Sequence, residues 1–161
     1  MLRWLAALLV LCCLPAVAEP KNYEQLGFEI ELAPGWVERE VSLEEGLVLA
    51  AGDGGAALVV LPVEGELDPA VFDDEAEVEK LAAEFAGGHE ITEKKKLELA
   101  GRRALSVSFI DAPEGEPAGR GLVIIVAGPS IWVMSSFMEE GRYQAVLPEV
   151  EKMLTTFKPT R

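Results

Sequence analysis

Hydrophobic positions concentrate most strongly between Arg120 and Met138, RGLVIIVAGPSIWVMSSFM. Two apolar runs, Leu122–Ala127 and Ile131–Met138, are parted there by Gly128-Pro129-Ser130. Both are short and rich in β-branched and aromatic residues, which suits paired strands rather than a helix. Leu122–Ala127 has no polar residue on either face, so a strand there needs cover on both sides. The pattern predicts a central β-hairpin with a layer above and a layer below.

Upstream, Phe28, Ile30 and Leu32 alternate with Glu29 and Glu31, a strand with one wet face that ends at Ala33-Pro34-Gly35. Strands are expected at Gly46–Ala51 and Ala56–Val63, joined by Gly52-Asp53-Gly54-Gly55, a tight-turn signal because Asp-Gly readily takes positive φ. These glycines do not form a phosphate cradle, since no Lys-Ser/Thr follows and a strand, not a helix, comes next. Asp68-Pro69 opens a helix whose Val78, Leu81, Ala82 and Phe85 form one stripe and which Gly87-Gly88 closes. A second hairpin is expected from Glu90–Leu99 and Arg103–Ile110 about Ala100-Gly101, followed by the polar loop Asp111–Gly119. Val146, Leu147, Val150, Met153, Leu154 and Phe157 mark a closing helix with Pro148 in its first turn, where a missing N–H costs nothing. The expected fold is α+β, an antiparallel sheet of about seven strands sandwiched by two main helices.

The first eighteen residues stand apart from this pattern. Arg3 precedes the apolar stretch Trp4–Leu14, and Ala16-Val17-Ala18 is an A-x-A cleavage signal. The expected organisation is a cleaved signal peptide at residues 1–18, a loose polar N-terminal arm at 19–25 and a single domain at 26–161. The apolar run is shorter than the about 20 residues of a membrane span, so no stable membrane anchor is expected after cleavage. Periplasmic or secreted location follows. Both cysteines, Cys12 and Cys13, fall inside the removed segment, which leaves no disulfide or thiolate chemistry. The remaining roughly 140 residues suffice for a self-sufficient core.

The chain has 28 acidic and 14 basic residues, a formal charge of −14, and loses one more positive charge with Arg3. That balance argues against nucleic acid and anionic lipid headgroups as partners. The only basic clusters are Lys94-Lys95-Lys96 and Arg102-Arg103, on the two strands of the second hairpin, where they form a candidate cationic strip for a partner. Edge-strand protection against aggregation accounts for the same residues.

Candidate chemistry is sparse. The single histidine, His89, sits just past the helix-closing glycines, and Ser130, Ser135 and Ser136 lack the second glycine of a nucleophile elbow. Asp68, Asp73, Asp74, Glu75 and Glu77 offer oxygen ligands for calcium, yet they also sit where a helix start favours negative charge. Trp36 and Trp132 are pocket-wall or core residues. Nothing points to a cofactor.

Three stretches carry a resemblance: Gly27–Leu32 running into Pro34-Gly35-Trp36, Leu97–Ala104, and Met153-Leu154-Thr155-Thr156-Phe157-Lys158. Together with the apolar hairpin they resemble the PsbP-like family, which includes the photosystem II extrinsic protein and bacterial DcrB-type proteins. Thr156 stands where that family usually has serine. The resemblance spans Phe28–Lys158 and implies an antiparallel sheet between helices in a mostly non-enzymatic family of accessory proteins. It transfers no binding residue. The resulting expectation is an exported, non-catalytic binding protein that docks a protein partner or a lipid-like, apolar ligand. A hydrolase using carboxylates or serine and a calcium-responsive acidic protein are the alternatives. N-terminal sequencing of protein recovered from its own cells is expected to read Glu19-Pro20-Lys21; a chain still starting at Met1 contradicts cleavage.

Overall fold

The first strand falls where a loose arm was expected. Pro20–Tyr23 (β1) pairs antiparallel with Phe28–Glu31 (β2), Pro20 opposite Glu31 and Tyr23 opposite Phe28. The physical reason is Tyr23, whose ring is buried against Phe28 while its hydroxyl donates to the Glu38 carboxylate at 2.8 Å. Lys158–Pro159 (labelled β10 below) pairs with β2 from the other side and completes a three-stranded sheet. The computed structural model describes residues 20–42, 44–112 and 118–160. The expected signal segment, its Ala18–Glu19 junction and the middle of the Asp111–Gly119 loop lie outside them.

The main sheet begins with Trp36–Ser42 (β3), a strand that the hydrophobic pattern did not announce. Gly46–Ala51 (β4) and Ala56–Val63 (β5) stand where they were expected. Gly46 is obligatory: its φ is +76°, and a Cβ there would lie 2.3 Å from the Val60 carbonyl oxygen.

The expected helix from Pro69 is divided in two. Asp68 caps a 3-10 turn at Pro69–Asp73, and Asp74, in extended conformation, caps the helix Glu75–Phe85 (α1) by accepting from the Ala76 and Glu77 amides. Gly87 and Gly88, both at positive φ, close it. Glu90–Leu99 (β6) and Arg102–Asp111 (β7) form the expected hairpin, with Ala100 and Gly101 at φ 53° and 73° in its turn.

Gly119–Val126 (β8) and Ile131–Glu139 (β9) form the apolar hairpin, Val126 opposite Trp132. A 3-10 turn at Glu140–Arg142 leads into Tyr143–Thr156 (α2). Pro148 therefore lies inside α2, not in its first turn. It is solvent-exposed, as is Gln144 four residues earlier, so water can take the carbonyl that loses its amide partner.

The large sheet is fully antiparallel in the order β3-β4-β5-β9-β8-β7-β6. It has seven strands, but membership differs from the expectation: β2 has left for the small sheet and β3 has taken a place at the edge. One face carries α2 and the small sheet over Leu47, Leu58, Ile124, Trp132 and Met134. The other carries α1 and the 3-10 turn, with Phe72, Val78 and Ala82 over Leu105, Val107, Val123 and Ile125.

An aromatic triangle ties the small sheet, β9 and the end of α2 together. Phe28 and Trp132 meet edge-to-face at 5.4 Å, and Phe157 stands 5.4 and 5.3 Å from them. Beside it the Thr156 hydroxyl accepts from the Glu31 amide at 2.9 Å and donates to the Met153 carbonyl at 2.7 Å. The closing Thr-Phe pair of the sequence is thus a clasp on β2. Phe157→Ala is expected to cost about 3–5 kcal/mol in urea denaturation, and Thr156→Val about 1–3 kcal/mol. Near-neutral effects at both positions would refute the clasp.

Candidate ligand groove

The five basic residues of the second hairpin do not form one strip. Alternation along β6 sends Lys94 and Lys96 to the α1 face, where they pair with Glu79 and with Glu75 (3.2 Å). Arg103 joins them there and holds Asp73 through two hydrogen bonds of 2.9 and 2.6 Å. Arg102 instead donates to the Ser130 carbonyl at 3.3 Å. Lys95 points to the opposite face and is the one of the five without a partner among the described residues. The acidic helix start and the basic hairpin, two separate candidates in the sequence, therefore largely neutralise each other.

Electrostatics follow this pairing. The Arg103 guanidinium holds the Asp73 carboxyl below the usual carboxylate range, as Arg142 does for Asp53 and Arg120 for Glu140. Of the five carboxylates considered for calcium, Asp68 and Asp74 cap backbone amides, and Asp73, Glu75 and Glu77 touch Arg103, Lys96 and Lys80. Among the described residues no group of three or more His, Cys, Asp or Glu is arranged to hold a metal ion.

Lys95 opens into a groove of about 320 Å³ between the hairpin and α2. Its floor is Leu97 and Leu99 from β6, Ser106 and Ser108 from β7, and Leu122 and Ile124 from β8. Tyr143, Leu147 and Leu154 of α2 form its wall, and Glu93, Glu98 and Glu151 join Lys95 along the rim. The groove exists because β7 has two unlike faces. Leu105 and Val107 are fully buried under α1, whereas Ser106 and Ser108 face a side that α2 does not reach across. The size is that of a small-ligand pocket, apolar below with a few polar groups above. Sequence reasoning had singled out Lys95 but missed Leu97, Leu147 and the serines. The Ser106/Ser108 alternation in an otherwise buried strand was the available signal.

The other candidates occupy structural positions. Ser136 is buried and donates to the Ala57 carbonyl at 2.8 Å, and no hydrogen bond joins His89 to a serine among the described residues. His89 stacks on Phe109 at 5.4 Å with its Nδ1 3.6 Å from an Asp111 oxygen. Its amide donates to the Ala86 carbonyl, which is the helix-end role expected. Trp36 is buried, and its indole N–H donates to Glu149 at 2.8 Å. Trp132 belongs to the aromatic core. Among the described residues no helix is long and apolar enough to cross a membrane.

No family model and no curated protein matches the chain. Solved structures do. The solution structure of cyanobacterial PsbP from Synechocystis matches with a TM-score of 0.58 at 12% identity, over 88% of this chain and 91% of that one. LpqN of Mycobacterium tuberculosis, a protein involved in cell envelope biogenesis, matches with a TM-score of 0.61 at 10% identity, over 91% and 87%. A protein from Bacteroides thetaiotaomicron matches with a TM-score of 0.58 at 12% identity over 84% of this chain, which spans only 46% of that protein. The fold is PsbP-like, as the sequence resemblance implied.

The Asp73–Arg103 pair has a defined pH signature. Because the folded carboxyl value lies below the unfolded one, its contribution is complete above the unfolded range, about pH 4, and disappears as pH falls through the depressed folded value. Asp73→Asn is therefore expected to lower stability slightly at pH 7 and to converge on the parent protein in acid. Denaturant midpoints at pH 7 and in acid check this, and a gap that persists or widens in acid contradicts it.

Proposed function

We propose that the protein is an exported, non-catalytic binding module that holds a lipid-like ligand in the groove between α2 and the β6–β7 hairpin. The observation that carries this reading is the groove itself. Leu97, Leu122, Ile124 and Leu147 offer an apolar bed, and the unpaired Lys95 ammonium stands at its edge. Burying a ligand's hydrocarbon there is favourable at about 25 cal/mol per Å² of area removed from water. Ser106 and Ser108 can each donate and accept one hydrogen bond, while the rim carboxylates accept. A headgroup carrying both donors and acceptors fits that mixture better than a bare anion.

The PsbP-like fold agrees with an accessory role, and LpqN's part in envelope biogenesis agrees with an extracytoplasmic setting. The leader-like first eighteen residues point the same way. A hydrolytic reading has less support, because Ser136 is spent on a backbone carbonyl and no base stands on a serine among the described residues. A calcium-responsive reading is weakened by the cations that already engage Asp73 and Glu75.

Native mass spectrometry of protein purified gently from its own cells tests the proposal. A reproducible extra mass of small-molecule size is expected, with occupancy falling at least about tenfold in Leu147→Lys. A chain that stays bare and also ignores added lysophospholipid would overturn the carrier reading.

A further inference from the structure

The large sheet has a second uncovered region, on the face opposite the groove. Val37, Val63 and Phe137 are the large apolar side chains with the greatest exposure among the described residues, at 41, 37 and 40%. The strand register puts all three on one side. Val37 stands opposite Ala50, Ala50 opposite Ala57, and Ala57 opposite Phe137. Val63 lies six residues along β5 from Ala57 and so shares its face. Val48 and Val59, opposite one another, fill the next row. On β4 and β5 this face carries no charged residue.

α1 forms one wall of this region. Glu75 and Glu79 reach β6, so helix geometry puts Glu77, Leu81 and Glu84 on the flank turned the other way. Phe85 already lines a notch of about 360 Å³ with Val59, Phe109 and Phe137. The exposed floor spans β3, β4, β5 and β9, about 15 Å across at ordinary strand spacing. One helix with its side chains, about 10–12 Å thick, fills that width beside α1.

We infer that this face docks an amphipathic helix with a basic flank, supplied by another protein. The apolar side of that helix would lie on Val48, Val59 and Phe137, and its basic flank would meet Glu77 and Glu84. Among the described residues the Glu84 side chain has no partner, and that of Glu77 touches only Lys80 of its own helix. Charge selects against the other occupants. A second copy of this chain would bring the same acidic wall and a charge of −14, and anionic lipid or nucleic acid would be repelled likewise.

The test uses an 18-residue synthetic peptide of Leu and Lys laid out as an amphipathic helix, together with its Leu/Glu counterpart. Fluorescence anisotropy is expected to show binding of the Leu/Lys peptide alone, weakened at least about tenfold by Val59→Lys or Val63→Lys. Gln144→Lys, the same charge change on α2 and away from this face, should leave binding within about twofold. Val63 is exposed enough that its variant should keep the parent melting temperature. Equal binding of the Leu/Glu peptide, or affinity unchanged in Val63→Lys, would overturn the inference. So would a dimer of the parent protein that Val63→Lys dissociates, because a second copy would then cover the face.

Discussion

A strand with two apolar faces must be dry on both sides, and β8 imposes that condition on everything around it. Leu122, Ile124 and Val126 face α2 and the small sheet, while Val123 and Ile125 face α1. α1 on one face, and α2 with the small sheet on the other, satisfy β8 but not the whole sheet. Seven strands span about 30 Å, whereas a helix with its side chains covers about 10–12 Å. Cover therefore runs out on each face, and at different places. Over α2's side it ends before the β6–β7 hairpin, leaving the groove at Lys95. Over α1's side it ends near β9, leaving Val59, Val63 and Phe137 in contact with water. Both candidate surfaces come from one mismatch of widths.

Charge is arranged around the same geometry. The edge strand β6 keeps its Lys94 and Lys96 over α1, so the helix is pinned by ion pairs on one flank and by Val78 and Ala82 beneath. Exposed pairs of this kind contribute little individually. Their effect is positional: with Glu75 and Glu79 engaged toward β6, the acidic flank left free is the one that borders the open sheet.

Much of the fold was legible in the chain because it rests on local period. Alternation revealed β2 and β7, the Gly52–Gly55 turn between two apolar runs revealed β4 and β5, and the stripe of Val78, Leu81, Ala82 and Phe85 revealed α1. β3 escaped because a bulge between Glu38 and Glu40 breaks its alternation and because, at the edge, it keeps charged residues outward. β2 looked like any other strand, since period reports which residues face inward but not which sheet receives them. The arm at residues 19–25 hid β1 because Tyr23 is its only buried residue in β1. At the candidate site, the sequence reading joined Lys95 to Lys94 and Lys96 in one strip, although strand alternation puts it on the other face. What alternation could not supply was the pairing of Asp73 with Arg103 or Glu79 with Lys94, contacts that only the folded chain creates.

The small sheet has a mechanical meaning. β1 and β10 both run antiparallel to β2, one on each side, so they are parallel to each other. Pro20 lies opposite Glu31 at one end of β2, and Pro159 lies opposite Phe28 at the other. Tension applied between Pro20 and Pro159 is thus directed along the strands. It shears the ladder and loads its hydrogen bonds together, where a pull across the strands would peel them one at a time.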